Sequence, residues 1–176
     1  MASSPGDDRT MTDVPDRTPH VRRARREDAP VLAVVHVQAW RETYPGLLSD
    51  ELLANLSVPE HEAMWREILT GPDAEGAWLS EASDGVVGFT LARTPQDDDA
   101  PRALELGMMY VLDAVKGAGV ADALVTAALG DEPAYLWVAR DNPRARRFYS
   151  RHGFVADGAE KTIAHWDDIL DIRMVR

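Results

Sequence analysis

From Tyr110 to Ala123 the chain reads YVLDAVKGAGVADA, an apolar run that passes through a turn containing Gly117 and Gly119 and then straight into a stretch rich in Ala and Leu. A strand, a Gly-x-Gly turn and a helix in direct succession suit the binding of an anion. N–H groups in the first turn of a helix have no internal partner, and the aligned peptide dipoles put partial positive charge there, so a phosphate can bind without a cationic side chain. The two glycines let the backbone approach closely and adopt positive φ. The same succession also serves as a tightly packed turn with no ligand. It is neither a Walker loop, which ends in Gly-Lys-Ser/Thr, nor a dinucleotide fingerprint, which needs three spaced glycines and a downstream acid.

Composition closes several other chemistries. The chain has no cysteine, which excludes disulfides, thiolate metal sites and a cysteine-linked intermediate, and a cytoplasmic location is expected. The five histidines, His20, His36, His61, His152 and His165, show no His-x-x-x-His spacing, so no metal is expected. A Gly-x-Ser-x-Gly elbow is also missing. The net charge of −11 argues against a nucleic-acid partner, which calls for clustered positive charge. The acidity either draws a cationic partner such as an amine into a cleft or serves solubility alone. No apolar run approaches the ~20 residues that span a bilayer, so no membrane partner is expected.

At 176 residues, 45% of them apolar, the chain has enough core for one domain. Residues 1–19 are polar and are expected to form a disordered tail, with Met11 an alternative start to Met1, and residues 20–176 a single domain. His20–Arg25 alternates around Val21 as a first strand. A helix is predicted from Asp28 to about Glu42, with Leu32, Val35, His36, Ala39 and Trp40 at helical spacing, ended by Tyr44-Pro45-Gly46. Ser49 caps a second helix, and Pro59–Leu69 forms a third. Ala77–Glu81 and Val86–Arg93 read as a hairpin turned at Asp84-Gly85. Leu104–Leu112 is apolar enough for a strand buried on both faces. A helix over Gly119–Leu129, a strand over Ala134–Val138, a helix over Arg144–Arg151 and a hairpin of Phe154–Ile163 with Asp168–Val175 complete the order. That order predicts an α/β fold with a mixed sheet and helices on both faces.

Two motifs, in this order, resemble the GCN5-related N-acetyltransferase (GNAT) family. Lys116, Gly119 and Ala121 stand where that family's acyl-CoA pyrophosphate loop has Gln or Arg, then Gly, then Gly or Ala; Lys116 departs from the pattern. Downstream, Leu136-Trp137-Val138 followed by Asn142, Ala145, Phe148-Tyr149 and Gly153-Phe154 is similar to the family's strand, its Asn-x-x-Ala-x-x-Phe-Tyr helix and its Gly-Phe pair. The resemblance covers about His20 to Arg176. It implies the GNAT fold: a mixed, mostly antiparallel central sheet of about six to seven strands, helices on both faces, and a splayed strand pair that holds acyl-CoA.

The resemblance further implies acetyl-CoA as acyl-donor substrate, an amine acceptor, direct attack in a ternary complex, no metal, and a possible homodimer. Lys116, Gly117, Ala118, Gly119, Val120 and Ala121 would hold the pyrophosphate mainly through backbone N–H groups. The backbone of Met109, Tyr110 and Val111 would pair with the pantetheine arm as an added strand does. Tyr149 would be the general acid, since a phenol with a pKa of ~10 keeps its proton at neutral pH. Glu105 is the candidate base, because a partly desolvated carboxylate can accept an amine proton. Strict alternation puts Glu105, Gly107 and Met109 on one side of the strand and Leu106, Met108 and Tyr110 on the other. Glu105 reaches the cleft if the first set lines it, and is otherwise an exposed carboxylate at a strand end. Asn142 either bonds the donor or caps the following helix. Arg144 and Arg147 either meet the adenosine phosphates or are solvated surface. His36, Trp40 and Tyr44 recur every four residues on one helical face, as a wall for an apolar or cationic substrate group or as core packing. The expected acceptor is a primary amine on a small molecule. A protein N-terminus or lysine is the alternative, and a non-catalytic acyl-CoA sensor the second.

Overall fold

The computed structural model describes residues 20–176, and the tail expected over residues 1–19 lies outside them. Strands β1 (His20–Arg23), β2 (Ala77–Ala82), β3 (Gly85–Arg93), β4 (Glu105–Val111), β5 (Tyr135–Ala139), β6 (Val155–Ile163) and β7 (Ile169–Val175) form one sheet in the order β1-β2-β3-β4-β5-β7-β6. Neighbours are antiparallel except β4 and β5, which are parallel. The helices are α1 (Ala29–Thr43), α2 (Asp50–Ala54), α3 (Val58–Ile68), α4 (Val120–Leu129) and α5 (Pro143–Arg151).

Local chemistry sets the element ends. Ser49 and Ser57 cap α2 and α3 by accepting from the N–H groups of Leu52 (3.2 Å) and Glu60 (3.3 Å). Asp28, expected to open the first helix, does precede α1, but its carboxylate takes the Arg22 guanidinium at 2.7 and 2.9 Å and the Arg25 N–H at 2.8 Å. Arg22 also binds Glu81 of β2, at 2.8 and 3.1 Å. These partners make an arginine-rich first strand tolerable, and the Arg22 hydrogen bonds hold the Asp28 carboxyl below its usual range.

Two apolar layers sandwich the sheet. On one face Leu32, Ala33 and Trp65 of α1 and α3 pack on Leu79, Phe89 and Leu91. On the other, Val125 and Leu129 of α4 and Tyr149 of α5 pack on Leu106, Leu136, Val138, Ile172 and Met174. Each large side chain so buried contributes roughly 1.5–3 kcal/mol.

The structure corrects two expectations for β4. Only Glu105 and Leu106 are buried; Gly107 to Val111 are half-exposed rather than buried on both faces. The cause is that β4 and β5 pair only at Glu105 and Tyr135, with the Tyr135 N–H donating to Leu104 O at 3.0 Å, and then diverge. Strict alternation also fails. Leu91 pairs with Met108 and Ala92 with Leu106, so Gly107 is an extra residue that bulges from the ladder. Met108 and Tyr110 therefore pack toward α1 and α3, whereas Leu106 joins Met109 on the α4 and α5 side. Glycine leaves room at the bulge for the Arg93 side chain that lies across it: a Cβ at Gly107 would stand 2.6 Å from Arg93 Nε.

Candidate active site

After β4 the chain makes one short turn, Asp113–Val115, before entering α4 through Gly117 (φ +87°) and Gly119 (φ +80°). Both angles lie where only glycine is unstrained. The N–H groups of Lys116 and Ala118 are already bonded to Asp113 O and Val115 O, each at 3.1 Å. Those of Gly117, Gly119, Val120 and Ala121 have no partner among the described residues, so four of the six loop positions singled out in the sequence present free amides. The Lys116 ammonium pairs with Asp113, whose own N–H donates to Glu42 Oε2 at 2.6 Å and ties the loop to the end of α1.

The gap between β4 and β5 is a cleft of about 880 Å³ that runs from this loop past Met109, Tyr110 and Val111 to Tyr149. Arg144 and Arg147 stand exposed on its rim with Arg151, which the sequence reading did not single out although it follows Arg147 by one helical turn. Asn142 faces the cleft but uses its Oδ1 to cap α5, accepting from the Ala145 N–H at 3.0 Å.

Three tyrosines converge where β4 and β5 have parted. The Tyr44 and Tyr110 hydroxyls are 2.9 Å apart, and Tyr149 is buried beside them. Burial pushes the Tyr44 phenol up to about 12, and it raises Tyr149 and Tyr110 well above the usual phenol value, with the Tyr44 charge adding to the shift of both. All three hold their protons at neutral pH and can donate.

Glu105 also lines the cleft, at its apex, but its carboxylate is fully engaged. Arg93 donates to it at 2.8 and 3.2 Å and the Gln96 N–H at 3.3 Å, while the single proton of the neighbouring Tyr135 hydroxyl goes to Asp97 at 2.9 Å.

On the opposite side of β4 lies a second pocket of about 1100 Å³, walled by α1, α2, α3 and the β6–β7 turn. The two cavities share Arg93, Gly107, Met108 and Trp166. Among the described residues, five carboxylates, Glu51, Glu60, Glu67, Asp73 and Asp167, line the second pocket, and the single lysine or arginine lining it is Arg93, which is paired with Glu105. His36 and Trp40 belong to its inner wall and are almost wholly buried. Desolvation, with a smaller effect of His61, lowers the His36 imidazole to about 3, so it is neutral, ringed by Trp40, Trp65, Phe89 and Tyr110. Trp166 closes edge-on against Trp40 at 4.7 Å. The spacing of four does bring His36, Trp40 and Tyr44 together, with Tyr44 the most accessible of the three.

Asp171 of β7 is a cleft residue that the sequence reading passed over. Ile172 and Met174 turn into the α4 and α5 layer, so Asp171 and Arg173 face the other way. Burial raises the Asp171 carboxyl to about 6, partly offset by Lys161. Among the described residues no group of three or more His, Asp or Glu side chains could hold a metal ion, and no helix is long and apolar enough to cross a membrane.

Comparison with known proteins agrees with this geometry. Residues 36–154 match the Acetyltransferase (GNAT) family. A probable N-acetyltransferase of Mycobacterium tuberculosis is 27% identical over 144 residues, covering 78% of this chain and 80% of the relative. An uncharacterised N-acetyltransferase of Mycobacterium bovis is 31% identical over 139 residues, covering 74% and 85%. Among solved structures, the PaiA N-acetyltransferase of Thermoplasma acidophilum in complex with coenzyme A superposes with a TM-score of 0.65 at 18% identity, over 89% of this chain and 98% of that one. PH1933 of Pyrococcus horikoshii gives 0.68 at 17% identity, over 90% and 97%. The mostly antiparallel seven-stranded sheet with one splayed parallel pair is the fold of these neighbours, and the chain belongs to the GNAT family of acetyltransferases.

Proposed function

We propose that the protein transfers an acetyl group from acetyl-CoA to a primary amine on a small cationic molecule, by direct attack in a ternary complex. The observation that carries this reading is the junction of the two cavities at Gly107, Met108 and Trp166, where a donor threaded along β4 and an amine entering from the acidic pocket reach the same place. The free amides of Gly117, Gly119, Val120 and Ala121 suit a pyrophosphate, and Arg144, Arg147 and Arg151 suit the remaining phosphate charge on a protein that is otherwise strongly acidic. The divergence of β4 from β5 leaves the Met109–Val111 edge to pair with an amide-containing arm.

Bound acetyl-CoA supplies the activated thioester. Tyr149 keeps its proton in the buried site and gives it to the departing sulfur. The carboxylate-lined pocket favours an acceptor that arrives as an ammonium ion.

Thiol release from acetyl-CoA, measured with a panel of small diamines, polyamines and aminoglycosides beside lysine-containing and free N-terminal peptides, tests the proposal. Release with the small cationic amines is expected. Release with peptides alone would make the acceptor a protein, and acetyl-CoA binding without amine-dependent release would make the chain a sensor. Tyr149→Phe is expected to lower turnover by roughly 10²-fold or more with acetyl-CoA affinity unchanged; full turnover in that variant removes Tyr149 from the mechanism.

A further inference from the structure

Asp171 pairs with Ala139 at the end of β5 on one side and with Lys161 of β6 on the other. It therefore sits where β5 ends, at the open end of the cleft. Its side chain shares a face with Ile169, which packs into the cluster of Trp40, Tyr44 and Trp166 next to the acceptor pocket. The residue is 9% exposed, no hydrogen bond to its carboxylate is formed among the described residues, and its oxygens are not among the sealed, unpartnered atoms of the core, so they stay open to the cleft.

The nearby cations are committed elsewhere. Arg173, two residues along the same face, donates to Asp157 at 2.8 Å and to Asp99 at 2.9 Å. Lys161 lies 3.6 Å from Asp97 and 4.0 Å from the centre of the Trp137 ring. A largely buried carboxylate that opens only to a cleft and has no cation committed to it is of the kind found where a side chain acts on a ligand.

We infer that Asp171 is the group that takes a proton from the acceptor's ammonium and so delivers a neutral amine to the acetyl thioester. The inference rests on the acetyl transfer proposed above. Asp171 accepts one proton from R–NH3+, leaving the nitrogen lone pair free. That pair forms the C–N bond as the C–S bond breaks. A second proton from the same nitrogen replaces the one that Tyr149 gives to sulfur, and Asp171 releases its proton to solvent. The products are the acetylated amine, the free thiol and one proton.

The ionisable groups around Asp171 are Lys161 from β6, Arg173 on β7, Tyr44 at the end of α1 and Tyr149 of α5, which shares the cleft; β5 brings only Ala139 at this register. Tyr44 and Tyr149 stay neutral, and Lys161 opposes the rise caused by burial. With the carboxyl at about 6, the base is ionised at pH 7 and is lost as pH falls through 6.

The test compares wild type with Asp171→Asn from pH 5 to 9, using acetyl-CoA and the amine of the panel above that wild type turns over fastest. The expected result is a loss of roughly 10²- to 10⁴-fold in kcat/KM at pH 7, with unchanged acetyl-CoA affinity. The acidic limb near pH 6 should vanish, leaving a rate that rises with pH as the amine deprotonates in solution. A variant within about threefold of wild type, or one that keeps the limb, overturns the inference. In parallel, carboxyl-carbon NMR of the aspartate-labelled, acetyl-CoA-bound protein should show one resonance titrating near 6 that the variant lacks; a midpoint of ~4 for that resonance also overturns it. If Asp171→Asn does not fold, Asp171→Ser replaces it in both arms. A wild type that releases no thiol with any amine fails the proposed function itself, whereas a working wild type matched by its variant fails only the role of Asp171.

Discussion

Glu105 and Asp171 stand at the apex and the open end of one cleft, separated along β5 by the distance from Tyr135 to Ala139, about 13 Å at strand rise. They are 4% and 9% exposed, so burial hardly distinguishes them. Their partners do. Glu105 receives two bonds from Arg93 and one from a backbone N–H, whereas Asp171 receives none among the described residues. The apex is where β4 and β5 still pair, so it needs a satisfied and rigid corner. At the open end the strands have parted, and an unpaired carboxylate there faces a space that a ligand can enter. On this reading a buried acid in the wall of a site is structural or chemical according to what already occupies its lone pairs.

The largest effect should come from breaking the apex. Glu105→Ala leaves the Arg93 guanidinium, whose side chain is 21% exposed, without its partner, and should cost about 3 kcal/mol of stability in urea unfolding. Loss of less than about 1 kcal/mol would mean that the pair behaves like a surface salt bridge, and the contrast with Asp171 would collapse.

The opposite sign is expected at the open end. The folded-state pKa of Asp171 is raised from 3.8 to about 6, so the native state holds this proton more tightly than the unfolded chain does. The ionised form therefore lowers stability at every pH above about 6, and the penalty fades as pH falls toward 3.8. The shift sets a ceiling of about 3 kcal/mol. Because the amide of Asp171→Asn is itself a buried polar group, the variant should be more stable than wild type by about 1–2 kcal/mol at pH 8. The two should converge near pH 4. A difference curve flat in pH would show that the Asp171 carboxyl is not shifted by burial.

Much of this frame was legible because it rests on local signals. The turn across Ala82-Ser83-Asp84-Gly85, the Ser49 cap, the Pro45-Gly46 break and the strand–glycine–helix succession at Gly117 and Gly119 each depend on residues within a few positions of one another. Two paired motifs then fixed the family. The pairings made by sheet register were not legible. Arg93 meets Glu105 because β3 and β4 are adjacent, and Asp97 bonds the Tyr135 hydroxyl and the Trp137 indole from a loop some 40 residues earlier (38 and 40 positions). Period-two alternation grouped Glu105 with Met109 and gave no hint of the partners of Glu105; the bulge adds one residue to the count, so Leu106 shares a side with Met109 and Glu105 lies on the other. Asp171 was hidden for a related reason: a polar residue alternating with Ile172 and Met174 reads as a solvent face, and here the end of α1 and the β6–β7 turn cover that face.

The bulge offers the finest test of the apex. A methyl group at Gly107 would meet Arg93 Nε at 2.6 Å and Cζ at 2.9 Å, and no positive φ is involved, so Gly107→Ala acts by displacing one side chain rather than by straining the backbone. Its cost in wild type should be about 1 kcal/mol, the low end for overpacking, because Arg93 must turn away from Glu105. In a Glu105→Ala background the guanidinium is already released and can move at little cost. The same substitution should then cost almost nothing, and the double-mutant cycle should return a coupling of about 1 kcal/mol. Additive losses would mean that Arg93 lies over Gly107 for reasons independent of Glu105. The apex would then be held by packing rather than by its ion pair, and the difference between the two carboxylates would reduce to that between a crowded corner and an open one.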